Sequence, residues 1–232
     1  MDAYQTEEEQ VASLKKWWSQ NSRVIILGVG LGLFSIAGWQ VWKDKTLTHT
    51  LEASDVYQQL AKSVKDSKFD AAILFADEIE RTYSDTPYAA LAGMQKAKVQ
   101  IEQGDRKGAT ATLENVAVTA TNNSIQHVAR VRAFRIRVGD GETKAVIADI
   151  DSLIAEENGL NPGEFIGQYE AIKGDAYRLL GDVEKARYGY ITALRNATLD
   201  RRIIQLKLDD LGPPPVDFGD EKTASMNAES AK

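Results

Sequence analysis

Two regimes of hydrophobic patterning divide the chain. From Val24 to Trp42 the run VIILGVGLGLFSIAGWQVW carries no charge, with only Ser35 and Gln40 polar. As a helix it spans roughly 28 Å, close to the hydrocarbon thickness of a bilayer. From about Thr48 to Leu211 the pattern changes to amphipathic segments of helical spacing, interrupted only by Pro87 and Pro162 where connections are expected. Ahead of the apolar run, TEEEQVASLKKWW places Thr6 and Glu9 in capping-box spacing and repeats Val11, Leu14 and Trp18 at i, i+3, i+7. That pattern predicts a short amphipathic helix on a membrane surface.

The edges of the apolar run are marked as membrane segments usually are. Arg23 precedes it, Lys43 and Lys45 follow it, and Trp17, Trp18, Trp39 and Trp42 cluster at its ends. Its glycines, Gly28, Gly30 and Gly32, are spaced G-x-G-x-G, whereas a dinucleotide fingerprint needs G-x-G-x-x-G between a strand and a helix. Gly28 and Gly32 instead form a G-x-x-x-G pair, predicted to let a neighbouring membrane helix approach. A cleavable signal peptide is the rival reading, with Val24 to Phe34 as apolar core and Ser35-Ile36-Ala37 as the cut. The preceding segment is long for that role and contains Glu7-Glu8-Glu9, and the apolar run continues past the cut, so an uncleaved anchor is expected. Lys15, Lys16 and Arg23 on one side balance Lys43, Lys45 and Lys62 on the other, so charge alone does not orient the span.

The amphipathic body repeats itself. GDAYRLLGDVEKARYGYITAL places Gly174, Tyr177, Gly181, Ala186, Tyr190 and Ala193 at the spacings of a tetratricopeptide repeat, two antiparallel helices with small residues where they touch. Gly174 and Ala186 are expected to face each other, with Gly181 closing one helix and Asp182 capping the next. AKVQIEQGDRKGATATLENV repeats the theme through Ala97, Gly104, Ala109, Leu113 and Val116. Ala72, Ala109, Ala145 and Ala186, separated by 37, 36 and 41 residues, mark four second helices, the one near Ala145 drifting by about one residue. The near alternation of ARVRAFRIRV also suits a strand, but the repeat register favours a helix. LDRRIIQLKLDDL supplies Ile204, Leu208 and Leu211 as one face of a capping helix, and the proline-rich polar tail after it is expected to be disordered. The chain is therefore predicted to be all-α, with segments 1–23 (amphipathic), 24–42 (transmembrane), 43–211 (an α-solenoid of four tetratricopeptide-like hairpins with a cap) and 212–232 (tail).

Composition narrows the chemistry. With 28 Lys+Arg against 34 Asp+Glu the net charge is −6, which disfavours non-specific nucleic-acid binding. There is no cysteine, and His49 and His127 lie far apart, so cysteine-based or histidine-rich metal and nucleophile sites are excluded. Asp149, Asp151, Glu156 and Glu157 lack the glycine and closing glutamate of a calcium loop and read as an exposed helix face. No nucleophile elbow, phosphate loop or zinc-protease motif occurs. The expectation is a binding protein without catalytic residues, cofactor or metal. Repeat solenoids bind along the face made by their first helices, where the register places Arg130, Arg137 and Arg178, with Lys98 nearby. These would form a basic groove for an acidic partner segment, unless they are spent on intramolecular ion pairs.

The N-terminal YQTEEEQVASLKKWWSQNSRVIILGVGLGLFSIAGWQVW resembles the YfgM-type family, ancillary subunits of the SecYEG translocon in Gram-negative bacteria. The shared features are an acidic start, a helix with Q-V-x-x-L-K, an aromatic pair, a glycine-rich span and the exit Gly38-Trp39-Gln40-Val41-Trp42. IKGDAYRLLGDVEKARYGYITAL and LKLDDL are similar to that family's last repeat and closing helix. The resemblance implies a cytoplasmic N-terminus, a single pass of the inner membrane and a periplasmic repeat domain. It further implies a non-enzymatic role beside the translocon, assisting secreted polypeptides together with a PpiD-type periplasmic chaperone. An anchored repeat scaffold for envelope assembly or cell division is the alternative.

Overall fold

The computed structural model describes residues 7–155, 161–195 and 200–213, and every regular element among these is helical. The elements are α1 (Glu7–Lys65), α2 (Phe69–Thr82), α3 (Pro87–Glu102), α4 (Arg106–Thr119), α5 (Asn123–Gly139), α6 (Thr143–Ile154), a 3₁₀ turn (Gly163–Phe165), α7 (Ile166–Leu179), α8 (Val183–Leu194) and α9 (Arg201–Asp210). Thr6 of the expected capping pair, Glu156, Glu157 and the tail beyond residue 213 lie outside the described residues.

Helix α1 is 59 residues long and runs without a break through the N-terminal segment, the apolar run and the first helix of the first hairpin. The divisions expected after residues 23 and 42 therefore fall inside one helix. No proline occurs in it, and hydroxyl groups of Ser35, Thr46 and Thr50 donate back to the carbonyls of Leu31, Trp42 and Thr46. Such internal satisfaction is what a hydrocarbon environment demands of a backbone. The apolar side chains of the run, Phe34 at 79% exposure among them, have no protein to pack against, and α1 is long and apolar enough to cross a membrane.

Beyond the run the helices pair as four successive hairpins: the end of α1 with α2, α3 with α4, α5 with α6, and α7 with α8, closed by α9. Apolar residues form four buried clusters, each joining one hairpin to the first helix of the next or, at the end, to α9. Stacking of this kind gives each unit a core it cannot build alone. ARVRAFRIRV is helical within α5, whose start is capped by the Asn122 side chain accepting from the Ile125 amide at 3.2 Å.

The marker residues follow the expected register with one exception. Ala72, Ala109 and Ala186 are wholly buried, but Ala145 is exposed and Val146 takes the inward position, in a stripe with Ile147, Ile150 and Leu153. The drift noted around Ala145 is thus a one-residue rotation of α6 relative to the other second helices. Between α7 and α8, a Cβ on Gly174 would meet the Tyr190 ring at 2.5 Å and the Ala186 carbonyl oxygen at 3.2 Å, so the helix axes approach as the small-residue spacing demanded. Gly181, at φ 78°, makes the turn between them, and Asp182 then accepts from the Lys185 amide at 3.1 Å.

Candidate functional site

The first helices of the first three hairpins, α1, α3 and α5, line a cleft of about 850 Å³. Its surface is largely apolar: Tyr57 comes from α1, Leu91, Met94 and Ile101 from α3, and Ile125, Val128 and Ile136 from α5. These side chains are partly exposed because the second helices cover only the opposite side of each first helix. Charge enters from Lys98 and Glu102, paired with each other at 3.7 Å, and from Arg132 and Arg135 on α5. The concave face of this solenoid therefore offers an apolar floor with two arginines at one wall.

The arginines singled out by spacing lie elsewhere. Arg130 and Arg137 do share a face of α5, but that face turns toward the second helices α4 and α6. Arg130 donates to the Ala117 carbonyl at 3.3 Å and lines a separate cleft of about 720 Å³ with Glu114, Asp149 and Phe134. Arg137 donates to Glu142 and Asp149, each at 2.9 Å, and lies 3.5 Å from Glu114. Burial disfavours its charge, yet Glu142 and Asp149 more than compensate and hold its pKa above the usual arginine value. Arg178 is paired with Asp210 of α9 at 3.2 Å. None of the three lines the α1/α3/α5 cleft. The reason is angular: at about 100° per residue, residues 130 and 137 coincide on a helix, whereas 132 and 135 form a second pair turned well away from them. Lys98 is the one named cation that does line the cleft.

The acidic stretch in α6 is occupied similarly. Asp149 is held by Arg137, and Asp151 lies 2.7 Å from Lys173 of α7, whose ammonium also meets Glu170 at 3.2 Å. Among the described residues, no group of three or more His, Asp or Glu side chains is placed to hold a metal ion.

His127 is a residue of the interior. Its Nε2 is 3.1 Å from the Asn161 carbonyl, which can only accept, so Nε2 carries the proton and Nδ1 accepts from the Tyr169 hydroxyl at 2.8 Å. The ring stacks on Phe165 at 4.9 Å between centroids. Burial lowers its pKa, the Asn161 hydrogen bond opposes this, and the positive charge of Arg130 reinforces it. Tyr169, also buried, is pushed up to about 12, mainly by desolvation, against the pull of Arg130. The neutral imidazole thus ties α5 to the start of α7.

On the membrane segment, Gly28 and Gly32 stand on an open surface, with nothing within 4 Å of a Cβ built at either position. Trp39 and Trp42 pack ring to ring at 5.2 Å at the end of the run.

A stack of antiparallel helical hairpins with small residues at their crossings and a closing helix defines an α-solenoid of tetratricopeptide type, here continuous with a candidate transmembrane helix. The chain belongs to the tetratricopeptide repeat-like domain family, whose match covers residues 15–213 and so takes in the apolar run as well as the repeats. Among curated proteins it is similar to the ancillary SecYEG translocon subunit of Escherichia coli (24% identity over 91% of this chain and 99% of that protein). It is likewise similar to the ancillary SecYEG translocon subunits of Aggregatibacter actinomycetemcomitans (27%, over 90% of this chain and 100% of that protein) and Haemophilus influenzae (24%, with the same coverage). No solved structure gives a significant match.

Proposed function

We propose that this protein is a membrane-anchored, non-enzymatic scaffold standing beside the SecYEG translocon, with its N-terminus in the cytoplasm and its repeats in the periplasm. There it would hold secreted polypeptides, or a PpiD-type periplasmic chaperone that serves them, along the α1/α3/α5 cleft. The observation that carries this reading is the end-to-end similarity to ancillary SecYEG translocon subunits, which spans anchor and repeats together. The continuity of α1 adds a physical reason: one helix joins the span to the first wall of the cleft, so docking of the span against a membrane partner fixes where the cleft points.

Gly28 and Gly32 supply the face for such docking, because small residues let helix backbones approach where lipid gives no hydrophobic drive. Replacing both with Leu is expected to leave membrane insertion intact and to reduce SecYEG co-purified in mild detergent. Unchanged recovery of SecYEG would show that the span is only an anchor. Recovery of division or wall-synthesis proteins in place of SecYEG by the unmodified chain would contradict the translocon reading itself.

A further inference from the structure

Several cations of the repeat domain are spoken for. Lys96 meets Asp77 and Glu80, Arg106 meets Asp140, Arg137 meets three carboxylates, Lys173 meets two and Lys207 holds Asp175. Arg132 and Arg135, the two arginines that line the cleft, are not: among the described residues neither has a carboxylate within ion-pair distance, although acids outnumber bases in the chain, 34 to 28. The nearest polar contact of the Arg132 guanidinium is the Met94 sulfur at 4.0 Å, a weak acceptor.

The carboxylates around the cleft are committed elsewhere. Glu102 is paired with Lys98 at 3.7 Å. Asp175 is the carboxylate whose field reaches Arg135, but it already accepts from Lys207 at 2.6 Å and from the Tyr190 hydroxyl at 2.8 Å. Packing around Arg135 pulls its pKa below the usual arginine value, Asp175 opposes this, and the like charge of Arg132 adds to it. Two guanidinium groups at i, i+3, about 5–6 Å apart at their Cβ atoms and facing an apolar cleft, repel each other, and the field of Asp175 offsets this at Arg135 without a direct ion pair. A carboxylate placed between them would be held by charge-assisted, bidentate hydrogen bonds, strengthened by the low-dielectric floor beside it.

We infer that the cleft selects partner segments in which a carboxylate lies among large apolar side chains, the carboxylate bridging Arg132 and Arg135 while the apolar groups settle on Met94, Ile101 and Val128. The inference rests on the scaffold reading and names its partner chemistry. A positively charged segment is disfavoured twice, by the arginine pair and by the absence of a free acid to receive it.

The test uses the full chain in nanodiscs and two fluorescent peptides, one of alternating Leu, Phe and Asp and a twin with Asn for each Asp. The Asp peptide is expected to bind about tenfold more tightly than its twin, and the advantage should vanish in the double variant Arg132→Gln/Arg135→Gln, whose substitutions lie on the surface. Leu91→Trp, which fills the apolar floor, should weaken both peptides. If Leu91→Trp weakens both but the twins bind equally to the unmodified protein, the acidic preference is overturned and the cleft remains the binding surface. If Leu91→Trp weakens neither, the cleft reading falls with it. Displacement of the Asp peptide by phosphatidylglycerol vesicles, but not by phosphatidylcholine vesicles, would assign the arginines to lipid and overturn the inference.

Discussion

Gly189 admits no side chain. A Cβ there would stand 2.9 Å from the Glu170 carbonyl oxygen and 3.0 Å and 3.1 Å from the Gly174 amide nitrogen and Cα, all of them backbone atoms that no rotamer change can move. Gly174, across the same crossing, meets the flexible ring edge of Tyr190 as well as a carbonyl. Gly189→Ala should therefore destabilise the last hairpin by about 1–3 kcal/mol through overpacking, despite alanine's better helix propensity. Chemical denaturation followed by circular dichroism checks this, and an unchanged or higher midpoint would refute it. The sequence displayed Gly174 and Ala186 as repeat markers, but Gly189 carries no repeat signature of its own. Only the crossing shows that its hydrogen is the contact surface. The same holds for the arginines of α5, where the seven-residue spacing caught the eye. The functional candidates Arg132 and Arg135 lie on the other face, and only contact with α4 and α6 tells the two faces apart.

At the scale of elements, the clasp between α5 and α7 turns on the protonation of one ring. Neutral His127 donates to Asn161 and accepts from Tyr169, and protonation removes the acceptor while placing a charge in a buried site near Arg130. The folded pKa is depressed below the ordinary 6.5, so the unfolded chain binds more protons than the folded one as pH falls from about 6.5 toward the folded value. Stability contributed by the clasp is present above that window and lost on descending through it. Thermal unfolding of the repeat domain is expected to show a drop in midpoint as pH falls below about 6.5 that His127→Gln flattens. A drop of equal size in the variant would assign the pH sensitivity to other groups. Nothing in the sequence around His127 marks it as a clasp. Its partners come from residues 161 and 169, on the far side of a connection that no local pattern predicts. Element identity was more legible: the four hairpins, the helical state of α5 and the closing α9 follow from spacing and turn residues. The continuity of α1 was not legible, since the change from a uniformly apolar to an amphipathic pattern reads as a boundary even where the backbone has no reason to stop.

For the molecule as a whole, the division of labour is between an exposed apolar helix long enough to cross a membrane and a stack of hairpins whose first helices leave a largely apolar cleft. Family membership and the full-length relatives place that arrangement among tetratricopeptide repeat-like proteins, and the geometry gives the cleft its lining and its unpaired arginines. The central claim is that the α1/α3/α5 face receives translocating or chaperone polypeptide at the translocon. Photoreactive residues at Leu91 and Val128 in the cleft, and at Val118 on α4 outside it, test this most directly in intact inner membranes. Adducts with secreted polypeptides or a periplasmic chaperone from Leu91 and Val128, and few from Val118, are the predicted result. Adducts from Val118 alone, or equally from all three positions, would contradict it.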